Sequence, residues 1–366
     1  MGNKKEKTER LTYCRECAHY DPFLCSDGHK YDGLCWSRRK NGPSYPDKVK
    51  KDDSCTYGTE TSVIVTGAGG FIGEYMVKEL AGRGYDVYAL CHGIKNAVPN
   101  VTYIDVSGMD HDGIKRTLEG RTYGCFYDFA WSGTSGKGRA DCEKQIENIR
   151  MTCDYVRLAA DLGCRTFLYA SSINEMETYE CLQSDNAKPS GGYIYGSAKL
   201  AAHLMAETEA YRLGISFIPV IITNIYGAEE DSERLVCSSV KKMIRGERAS
   251  FTKGDQPYDF IYVSDAVNSI IAVGENGAPF NRYYIGSGNV RPLRDYILEM
   301  RQAAAPDAEL GLGDLPFNGK ALSYSQFDTK KVERDTGYKN KVAFTDGIGM
   351  TAENIRKREK NEKIRI

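Results

Sequence analysis

The pattern of hydrophobic and polar residues changes near residue 62. Before it, Asp, Gly, Lys and Pro separate isolated apolar residues, with neither helical nor strand periodicity. Such a segment buries little apolar surface by itself. After it, short β-branched or aromatic runs alternate with segments whose apolar residues recur at helical spacing. We therefore interpret residues 1–60 as a separate module in front of a globular unit.

The alternation after residue 62 predicts a parallel sheet. Strands are predicted at residues 63–65, 87–90, 101–106, 125–130, 166–170 and 215–222. Helices are predicted between them at residues 71–80, 113–118, 144–162 and 195–213. Strands that alternate with helices are typical of a doubly wound α/β fold. We expect a Rossmann domain with at least six parallel strands.

The regular alternation of predicted strands and helices ends at about residue 227. Helices and strand pieces are predicted there at residues 233–244, 292–303, 260–263 and 282–285. We expect residues 61–227 to form the Rossmann domain and residues 257–290 partly to return to it. Residues 228–256 and 291–366 then form a smaller substrate lid. In open α/β sheets the ligand binds at the carboxyl ends of the strands, so the lid would close over that edge.

Composition narrows the class of partner. The chain has 366 residues and a formal net charge of −1, which gives no overall attraction to nucleic acid or to an anionic membrane. Lys48, Lys50 and Lys51 are neighboured by aspartates, so no nucleic-acid patch is assigned to them. No apolar run approaches the roughly 18 residues that span a bilayer. The start of the chain also lacks the apolar stretch of a signal peptide. We expect a cytoplasmic protein that does not bind membranes.

A glycine-rich turn follows the first predicted strand and opens a helix. Gly67 suits the tight turn, Gly70 lets the backbone approach a pyrophosphate, and Gly73 lets the helix pack on the strand. Free amides and the helix dipole then stabilise the phosphates. The turn predicts a dinucleotide site that also includes Phe71 and Ile72.

Tyr195 and Lys199 are four residues apart on a predicted helix, so their side chains share one face. A tyrosine with a pKa near 10 is a poor base at neutral pH. A cation about 4 Å away lowers that pKa by roughly 3 units at an effective dielectric of 20. The pair therefore predicts an acid/base site.

The spacing Gly-x-x-Gly-x-x-Gly, followed by Tyr-x-x-x-Lys, resembles the extended short-chain dehydrogenase/reductase family. Within it, the chain is similar to NAD-dependent epimerases and dehydratases of the nucleotide-sugar 4-epimerase type, over about residues 61–350. The resemblance implies hydride transfer at a sugar carbon while Tyr195 takes the hydroxyl proton. It implies a catalytic triad of Ser172, Tyr195 and Lys199. It also implies a homodimer formed by the helices at 144–162 and 195–213.

The same resemblance assigns binding residues. Candidate cofactor residues beyond the turn are His92, Asp105, Val106, Phe129, Ala130, Trp131, Asn148, Tyr195 and Lys199. Candidate substrate residues are Ser172, Asn174 and Asn224, the last matching an asparagine that meets the nucleotide-sugar phosphates. Tyr258 stands where the family has an arginine, and Arg234 and Arg291 are alternative substitutes for that phosphate clamp.

The cofactor preference depends on the end of the second strand. NAD-specific enzymes place a carboxylate about 20 residues beyond the glycines to bind the ribose 2′-hydroxyl. This chain has Cys91, His92 and Gly93 there, with Lys95 close by. We expect the protein to bind NADP in slight preference to NAD. NAD remains the alternative cofactor because Asp105 can also hold it.

The reaction depends on the residues after Ser172. Family dehydratases have an Asp-Glu pair there, since eliminating water needs a separate acid and base. Ile173 and Asn174 occupy those places, and Glu175 comes one position late. Epimerisation or reduction of a 4-keto sugar is therefore preferred to 4,6-dehydration. A non-catalytic, NAD(P)-sensing regulatory protein is the alternative from another class.

The first sixty residues hold five of the twelve cysteines. In a reducing compartment such a cluster binds metal more readily than it forms disulfides. A structural zinc in a closed four-cysteine site is expected, and it would supply folding energy to this segment. An iron–sulfur cluster is the alternative. The expected ligands are Cys14, Cys17, Cys35 and Cys55, with Cys25, His19 and His29 as competitors.

Overall fold

The computed structural model describes residues 62–94, 97–183, 191–317 and 321–365, preceded by the backbone of five short strands. Those strands are β1 (Leu11–Tyr13), β2 (Tyr20–Asp21), β3 (Gly33–Cys35), β4 (Asp47–Val49) and β5 (Ser54–Thr56). β1 pairs antiparallel with β5, and β2, β3 and β4 form a second antiparallel sheet. Cys14 and Cys17, two expected zinc ligands, lie outside the described residues, as do the side chains of Cys35 and Cys55.

Short strands run through the rest of the chain. The first six are β6 (Ser62–Thr66), β7 (Asp86–Cys91), β8 (Val101–Asp105), β9 (Cys125–Asp128), β10 (Thr166–Ser172) and β11 (Ser216–Ile222). The later ones are β12 (Asn224–Tyr226), β13 (Ala249–Phe251), β14 (Pro257–Tyr258), β15 (Phe260–Tyr262), β16 (Tyr283–Ile285), β17 (Arg291–Pro292) and β18 (Leu310–Leu312).

Seven of these strands form one parallel sheet in the order β16-β11-β10-β9-β6-β7-β8. This confirms the predicted α/β sheet and adds β16 at one edge. The strand order reverses at β6, whose neighbours are β7 on one side and β9 on the other. Ligands of doubly wound sheets bind at such a reversal, beyond the carboxyl ends of the strands.

Ten α-helices and two 3₁₀ helices accompany the strands in the described ranges. They are α1 (Phe71–Gly82), α2 (His111–Leu118), α3 (Cys142–Asp161), α4 (Ile173–Leu182), α5 (Gly191–Leu213), α6 (Leu235–Ile244), α7 (Val263–Asn276), α8 (Leu293–Ala304), α9 (Lys331–Thr336) and α10 (Phe344–Arg365), with 3₁₀ helices at Gly136–Ala140 and Tyr324–Gln326. The sequence did not predict α4, α7, α9, α10 or the two 3₁₀ helices.

The sheet is covered on both faces, because its side chains alternate between two cores. Along β6, Val63 and Val65 join the core that contains Met76 of α1 and Ile270 of α7. Ile64 points the other way, into the core formed with α3 and α5. All three β6 residues are at most 1% exposed.

Beyond β11 the remaining strands form three small pairs, β12 with β15, β13 with β18, and β14 with β17. An aromatic cluster of Tyr226, Phe260, Tyr296 and Phe344 joins the β12–β15 pair to α8 and α10. Within the described ranges, none of the helices has both the length and the apolar character that a membrane crossing requires.

Candidate active site

The glycine turn has a geometry that only glycine allows. Gly67 has a φ of 62°, and a Cβ there would lie 2.7 Å from the carbonyl carbon of Phe129. A Cβ on Gly73 would lie 2.1 Å from the Gly67 oxygen. Gly70 is the N-cap of α1 and offers no side-chain cap. The amides at this helix end are therefore accessible to an anion, and the backbone leaves room for a pyrophosphate. The turn fits a dinucleotide.

The chain after β9 forms the opposite wall. The amides of Phe129 and Ala130 each donate to the Thr66 hydroxyl oxygen at 3.1 Å. Trp131 follows and donates through its indole N–H to Gln145 of α3 at 2.9 Å. The residues predicted at this strand end are thus fixed to β6 and α3, next to the turn.

A cleft of about 490 Å³ extends from the glycine turn to α4, α5 and the start of α6. The predicted site residues that line it are Gly67, Gly70, Phe71, Ile72, Gly73, Phe129, Trp131, Ser172, Asn174, Tyr195, Lys199 and Asn224. The predicted residues outside its lining are His92, Asp105, Val106, Ala130 and Asn148. The structure therefore gathers the residues expected near the reacting carbon and separates those expected at the adenosine end.

The adenosine-end residues lie together beyond β7 and β8. Asp105 accepts a hydrogen bond from the Ser107 amide at 2.9 Å, and His92 contacts the Ser107 hydroxyl at 3.3 Å. Hydrogen bonds from Ser107, with a further one from the Gly93 amide, hold the pKa of Asp105 below its usual value. Val106 is buried and donates its amide to Cys91. Asp105, the last residue of β8, thus places a carboxylate beside the loop after β7, where the sequence has no carboxylate of its own.

Asn148 hydrogen-bonds the loop after β9 and does not line the cleft. It is 3% exposed, accepts from the Ser132 amide at 2.9 Å and donates to the Ser132 oxygen at 2.8 Å. The adjacent Gln145 donates to the Gly138 carbonyl at 2.9 Å. Together they shape the loop that carries Trp131.

Tyr195 is nearly enclosed, with 8% of the residue exposed. Burial raises the pKa of its phenol, while a hydrogen bond with Ser172 and the positive charges of Arg139 and Arg234 oppose that rise. The Arg139 guanidinium carbon lies 4.4 Å from the centre of the Tyr195 ring. The Trp131 ring meets the same phenol edge-on at 6.1 Å.

Lys199 is held differently from the sequence expectation. Its ammonium donates to the Ala170 carbonyl at 2.8 Å and lies 3.6 Å from the centre of the Trp131 ring. Burial lowers the pKa of Lys199, and the Asp128 carboxylate opposes this effect. Lys199 lines the same cleft as Tyr195, where Arg139 and Arg234 bring positive charge to the phenol that the sequence analysis did not anticipate.

Helix α4 separates two environments. Ser172 is its N-cap and accepts from the Asn174 amide at 3.3 Å. Asn174 faces the cleft, where its side-chain oxygen accepts from Arg139 at 2.9 Å and its amide donates to Glu177. Glu175 points to the other side, where it accepts from Ser171 and meets His203 at 3.1 Å.

Glu175 therefore does not occupy the cleft, although it comes next in sequence to Asn174. With His203, it lines a second cavity of about 870 Å³ that includes neither the glycine turn nor Tyr195. That cavity is the larger of the two, but the smaller cleft holds the predicted chemistry.

The two candidate phosphate arginines have different positions. Arg234 is the N-cap of α6 and lines the cleft close to Asn224. Arg291 lies opposite Tyr258 in the β14–β17 register, 3.9 Å from the Tyr296 ring, and pairs with Glu299. Of the two, Arg234 is the one at the site.

Sequence reasoning missed Arg139, which lines the cleft from the 3₁₀ helix before α3. The available signal was positional, since the glycine-rich segment 133–138 connects β9 to α3 at the carboxyl edge of the sheet. Within the ranges the structure describes, no group of three or more His, Cys, Asp or Glu residues could hold a metal ion.

Comparison with known proteins agrees with this architecture. UDP-glucuronic acid decarboxylase 1 of Arabidopsis thaliana is 24% identical over 316 residues, covering 82% of this chain and 71% of that protein. UDP-glucose 4-epimerase of Thermotoga maritima, solved with UDP-glucose, superposes with a TM-score of 0.68 at 21% identity, over 81% of this chain and 99% of the other. UDP-glucuronic acid 4-epimerase of Bacillus cereus, solved with UDP-glucuronic acid and NAD, gives a TM-score of 0.66 at 18% identity, with coverage of 81% and 99%.

The family model described as the NAD dependent epimerase/dehydratase family matches residues 63–286, from β6 to the end of β16. That segment is more than half of the chain and includes the glycine turn, Ser172, Tyr195, Lys199 and Asn224. The chain belongs to the NAD dependent epimerase/dehydratase family.

Proposed function

We propose that the protein epimerises a nucleotide sugar, or reduces a 4-keto nucleotide sugar, by hydride transfer at one sugar carbon. The observation that carries the proposal is the placement of Ser172, Tyr195 and Lys199 in one cleft with the glycine turn. A protein that only senses a dinucleotide needs the turn but not a phenol, a hydroxyl and a buried ammonium beside it.

The residues divide the chemistry among them. NAD bound on the turn supplies the hydride acceptor. Tyr195 takes the proton of the sugar hydroxyl, and Ser172, which hydrogen-bonds the phenol, orients that hydroxyl. Lys199, fixed by the Ala170 carbonyl, lies in the same wall, where burial lowers its pKa to about 7. The burial of Tyr195 keeps bulk water away from most of its phenol.

Nucleotide phosphates are proposed to bind between Asn224 and Arg234. Arg234 stands at the N-terminus of α6, where free amides and the helix dipole favour an anion. Asn224 is anchored through its side-chain amide to the Asp259 carbonyl at 3.0 Å. This arrangement replaces the arginine that the family has at the position of Tyr258.

NAD is the proposed cofactor, in place of the slight preference for NADP that the sequence suggested. The Asp105 carboxylate is bound to the loop after β7, so a 2′-phosphate placed there would meet a negative charge. The Bacillus cereus relative was solved with NAD. Calorimetric titration of both cofactors tests the choice, and tighter binding of NADP would contradict it.

The reaction is tested by incubating the full chain separately with UDP-, GDP-, CDP- and dTDP-sugars. Isomerisation without added cofactor identifies an epimerase, and stoichiometric consumption of reduced cofactor identifies a reductase. Mass spectrometry of the sugar detects 4,6-dehydration as loss of water. Tight cofactor binding without turnover of any sugar would favour the regulatory alternative and contradict the proposal.

Dehydration is the less favoured reaction because of the α4 geometry. Glu175 faces His203 and not the cleft. The α4 carboxylate linked to the cleft is Glu177, through its hydrogen bond from Asn174, and it does not line the cleft. The carboxylates that line the cleft, Glu230 and Asp231, come from the segment before α6, so an elimination would need its acid and base from there and not from the positions after Ser172.

For the N-terminal module we propose a structural zinc held by Cys14, Cys17, Cys35 and Cys55. The backbone register places Cys55 opposite Thr12, two residues before Cys14, and Cys35 opposite Tyr20, three residues after Cys17. Metal analysis of the purified chain should find about one zinc per protein. Absence of bound metal together with freely reactive thiols would contradict this assignment.

A homodimer through α3 and α5 is proposed as the assembly. These helices pack on one another and expose the apolar side chains of Ile146, Leu204 and Met205, each about half exposed. Light scattering should give twice the chain mass of 40.8 kDa, and a monomer at working concentration would overturn the assignment.

A further inference from the structure

The Tyr195 ring has a cation on its face that does not come from the Tyr-x-x-x-Lys motif. The Arg139 guanidinium carbon lies 4.4 Å from the ring centre, from a different element, the 3₁₀ helix Gly136–Ala140. The motif lysine, Lys199, is directed at the Ala170 carbonyl and the Trp131 ring instead. A guanidinium over an aromatic face stabilises negative charge on that ring more than it stabilises the neutral phenol.

The guanidinium is fixed in place without being neutralised. It donates to the Asn174 side-chain oxygen at 2.9 Å, and Asn174 is held in turn by its hydrogen bond to Glu177. Among the described residues, no carboxylate lies within the 4.0 Å ion-pair distance of Arg139. One of its five donors is used by Asn174, so its charge remains directed at the cleft.

On these contacts, and resting on the proposed function, we propose that Arg139 is a positioning residue of the catalytic centre: it stabilises the Tyr195 phenolate, and Asn174 holds it over the ring. The reaction needs a phenolate in a buried position, which costs free energy unless a positive charge is close. Arg139 supplies that charge from the cleft, whereas the Lys199 ammonium is directed at the Ala170 carbonyl and the Trp131 ring.

Other charged groups also face Tyr195 and Arg139, and they set the size of the effect. Arg234 acts on Tyr195 in the same direction as Arg139, and Glu175 acts in the opposite direction. Glu177 faces Arg139 from α4, and its charge partly offsets that of the guanidinium. Arg139 is also half-buried, so solvent screens it. Removing its charge should therefore raise the pKa of Tyr195 by about one unit.

The test follows ionisation of Tyr195 directly, so it does not depend on knowing the sugar. Tyrosine labelled with carbon-13 at the hydroxyl-bearing ring carbon is incorporated into the full chain, with and without saturating NAD. The Tyr195 signal is identified as the one that Tyr195→Phe removes. In Arg139→Met the midpoint of its titration should lie about one pH unit above the wild-type midpoint. In Arg139→Lys, which keeps the positive charge, the midpoint should return most of the way to the wild-type value.

Controls separate this role from a structural one. Arg150→Met removes an exposed arginine paired with Glu147, and it should leave the Tyr195 titration unchanged. Asn174→Ala should raise the midpoint part of the way, because it releases the guanidinium. Identical midpoints in the wild type, Arg139→Met and Arg139→Lys would overturn the proposal. If Arg139→Met fails to fold, as judged by circular dichroism, Asn174→Ala still decides it, since an unchanged Tyr195 midpoint in that variant contradicts the proposal.

Turnover gives an independent readout. With a UDP-, GDP-, CDP- or dTDP-sugar that is converted, Arg139→Met should lower kcat about tenfold at neutral pH. At alkaline pH its kcat should return towards the wild-type value, and its KM should stay within about twofold of the wild-type KM. A raised KM with an unchanged pH profile would make Arg139 a binding residue and contradict the proposal. Failure of every sugar to react would count against the proposed function and leave the NMR comparison intact.

Discussion

Thr66 and Asp128 join the two central strands of the sheet through a buried hydrogen bond, in which the Thr66 hydroxyl donates to the Asp128 carboxylate at 2.7 Å. Both residues are at most 2% exposed. The same hydroxyl oxygen accepts the amides of Phe129 and Ala130. The Thr66 hydroxyl thus hydrogen-bonds a buried carboxylate and fixes the Phe129–Ala130 segment beside the glycine turn.

Thr66→Val should destabilise the protein by about 3 kcal/mol, because it keeps the side-chain shape and removes the hydroxyl that bonds the buried carboxylate and two backbone amides. NAD affinity should fall as well, since the Phe129–Ala130 segment is released. Chemical denaturation and calorimetric titration measure the two effects. Thr66→Ser, which keeps the hydroxyl, should lose less than half as much stability. Equal stability of Thr66→Val and the wild type would contradict this assignment.

The buried Glu175–His203 pair predicts a second stability effect. Glu175→Gln should cost about 2 kcal/mol, because it weakens the contacts with Ser171 and His203 in a site where the Glu175 side chain is 1% exposed. The matched control is Glu147→Gln, which removes an ion pair whose two side chains are each 65% exposed. It should cost less than about 0.5 kcal/mol. Denaturation midpoints that shift equally would show that the buried pair contributes no more than a surface pair.

The main sheet was predictable because its strands are short β-branched runs bounded by helical periodicity. Val63 and Ile64 both belong to such a run, although their side chains point to opposite faces of the sheet. The glycine turn and the Tyr195–Lys199 spacing were also predictable, because local backbone geometry dictates both. Helix α4 was not predicted, since its apolar residues do not recur at a clear helical spacing, and tertiary packing holds it.

The charges that act on Tyr195 were beyond sequence reasoning for a different reason. Arg139 and Tyr195 are 56 positions apart, and no local pattern shows that the loop before α3 folds over α5. The direction of the Lys199 ammonium likewise depends on the Ala170 carbonyl and the Trp131 ring, which the spacing of four residues cannot reveal. The motif predicted residues that meet in one cleft but not which cation lies over the phenol ring.

Two glycines of α1 make a matched pair for the cofactor site. Gly73→Ala should lower NAD affinity at least tenfold, because the new Cβ would lie 2.1 Å from the Gly67 oxygen and displace the turn. Gly82, the last residue of the same helix, has nothing within 4 Å of its Cβ position. Gly82→Ala should bind NAD as the wild type does and gain up to about 1 kcal/mol of stability. Calorimetric titration and denaturation check both variants, and unaffected NAD binding by Gly73→Ala would exclude the turn as the phosphate site.

The last prediction concerns the phenol itself. Tyr195→Phe should reduce turnover about a thousandfold while NAD still binds, because it removes the acid/base group and little else. Burial raises the pKa of Tyr195, so the protonated phenol dominates at neutral pH and the base form increases as pH rises. Oxidation of the sugar should therefore become faster with increasing pH until the phenol is fully ionised. Single-turnover absorbance of the reduced nicotinamide measures the profile, with Tyr211→Phe on the exposed end of α5 as the control. A profile that keeps its slope in Tyr195→Phe would assign the titrating base to another residue.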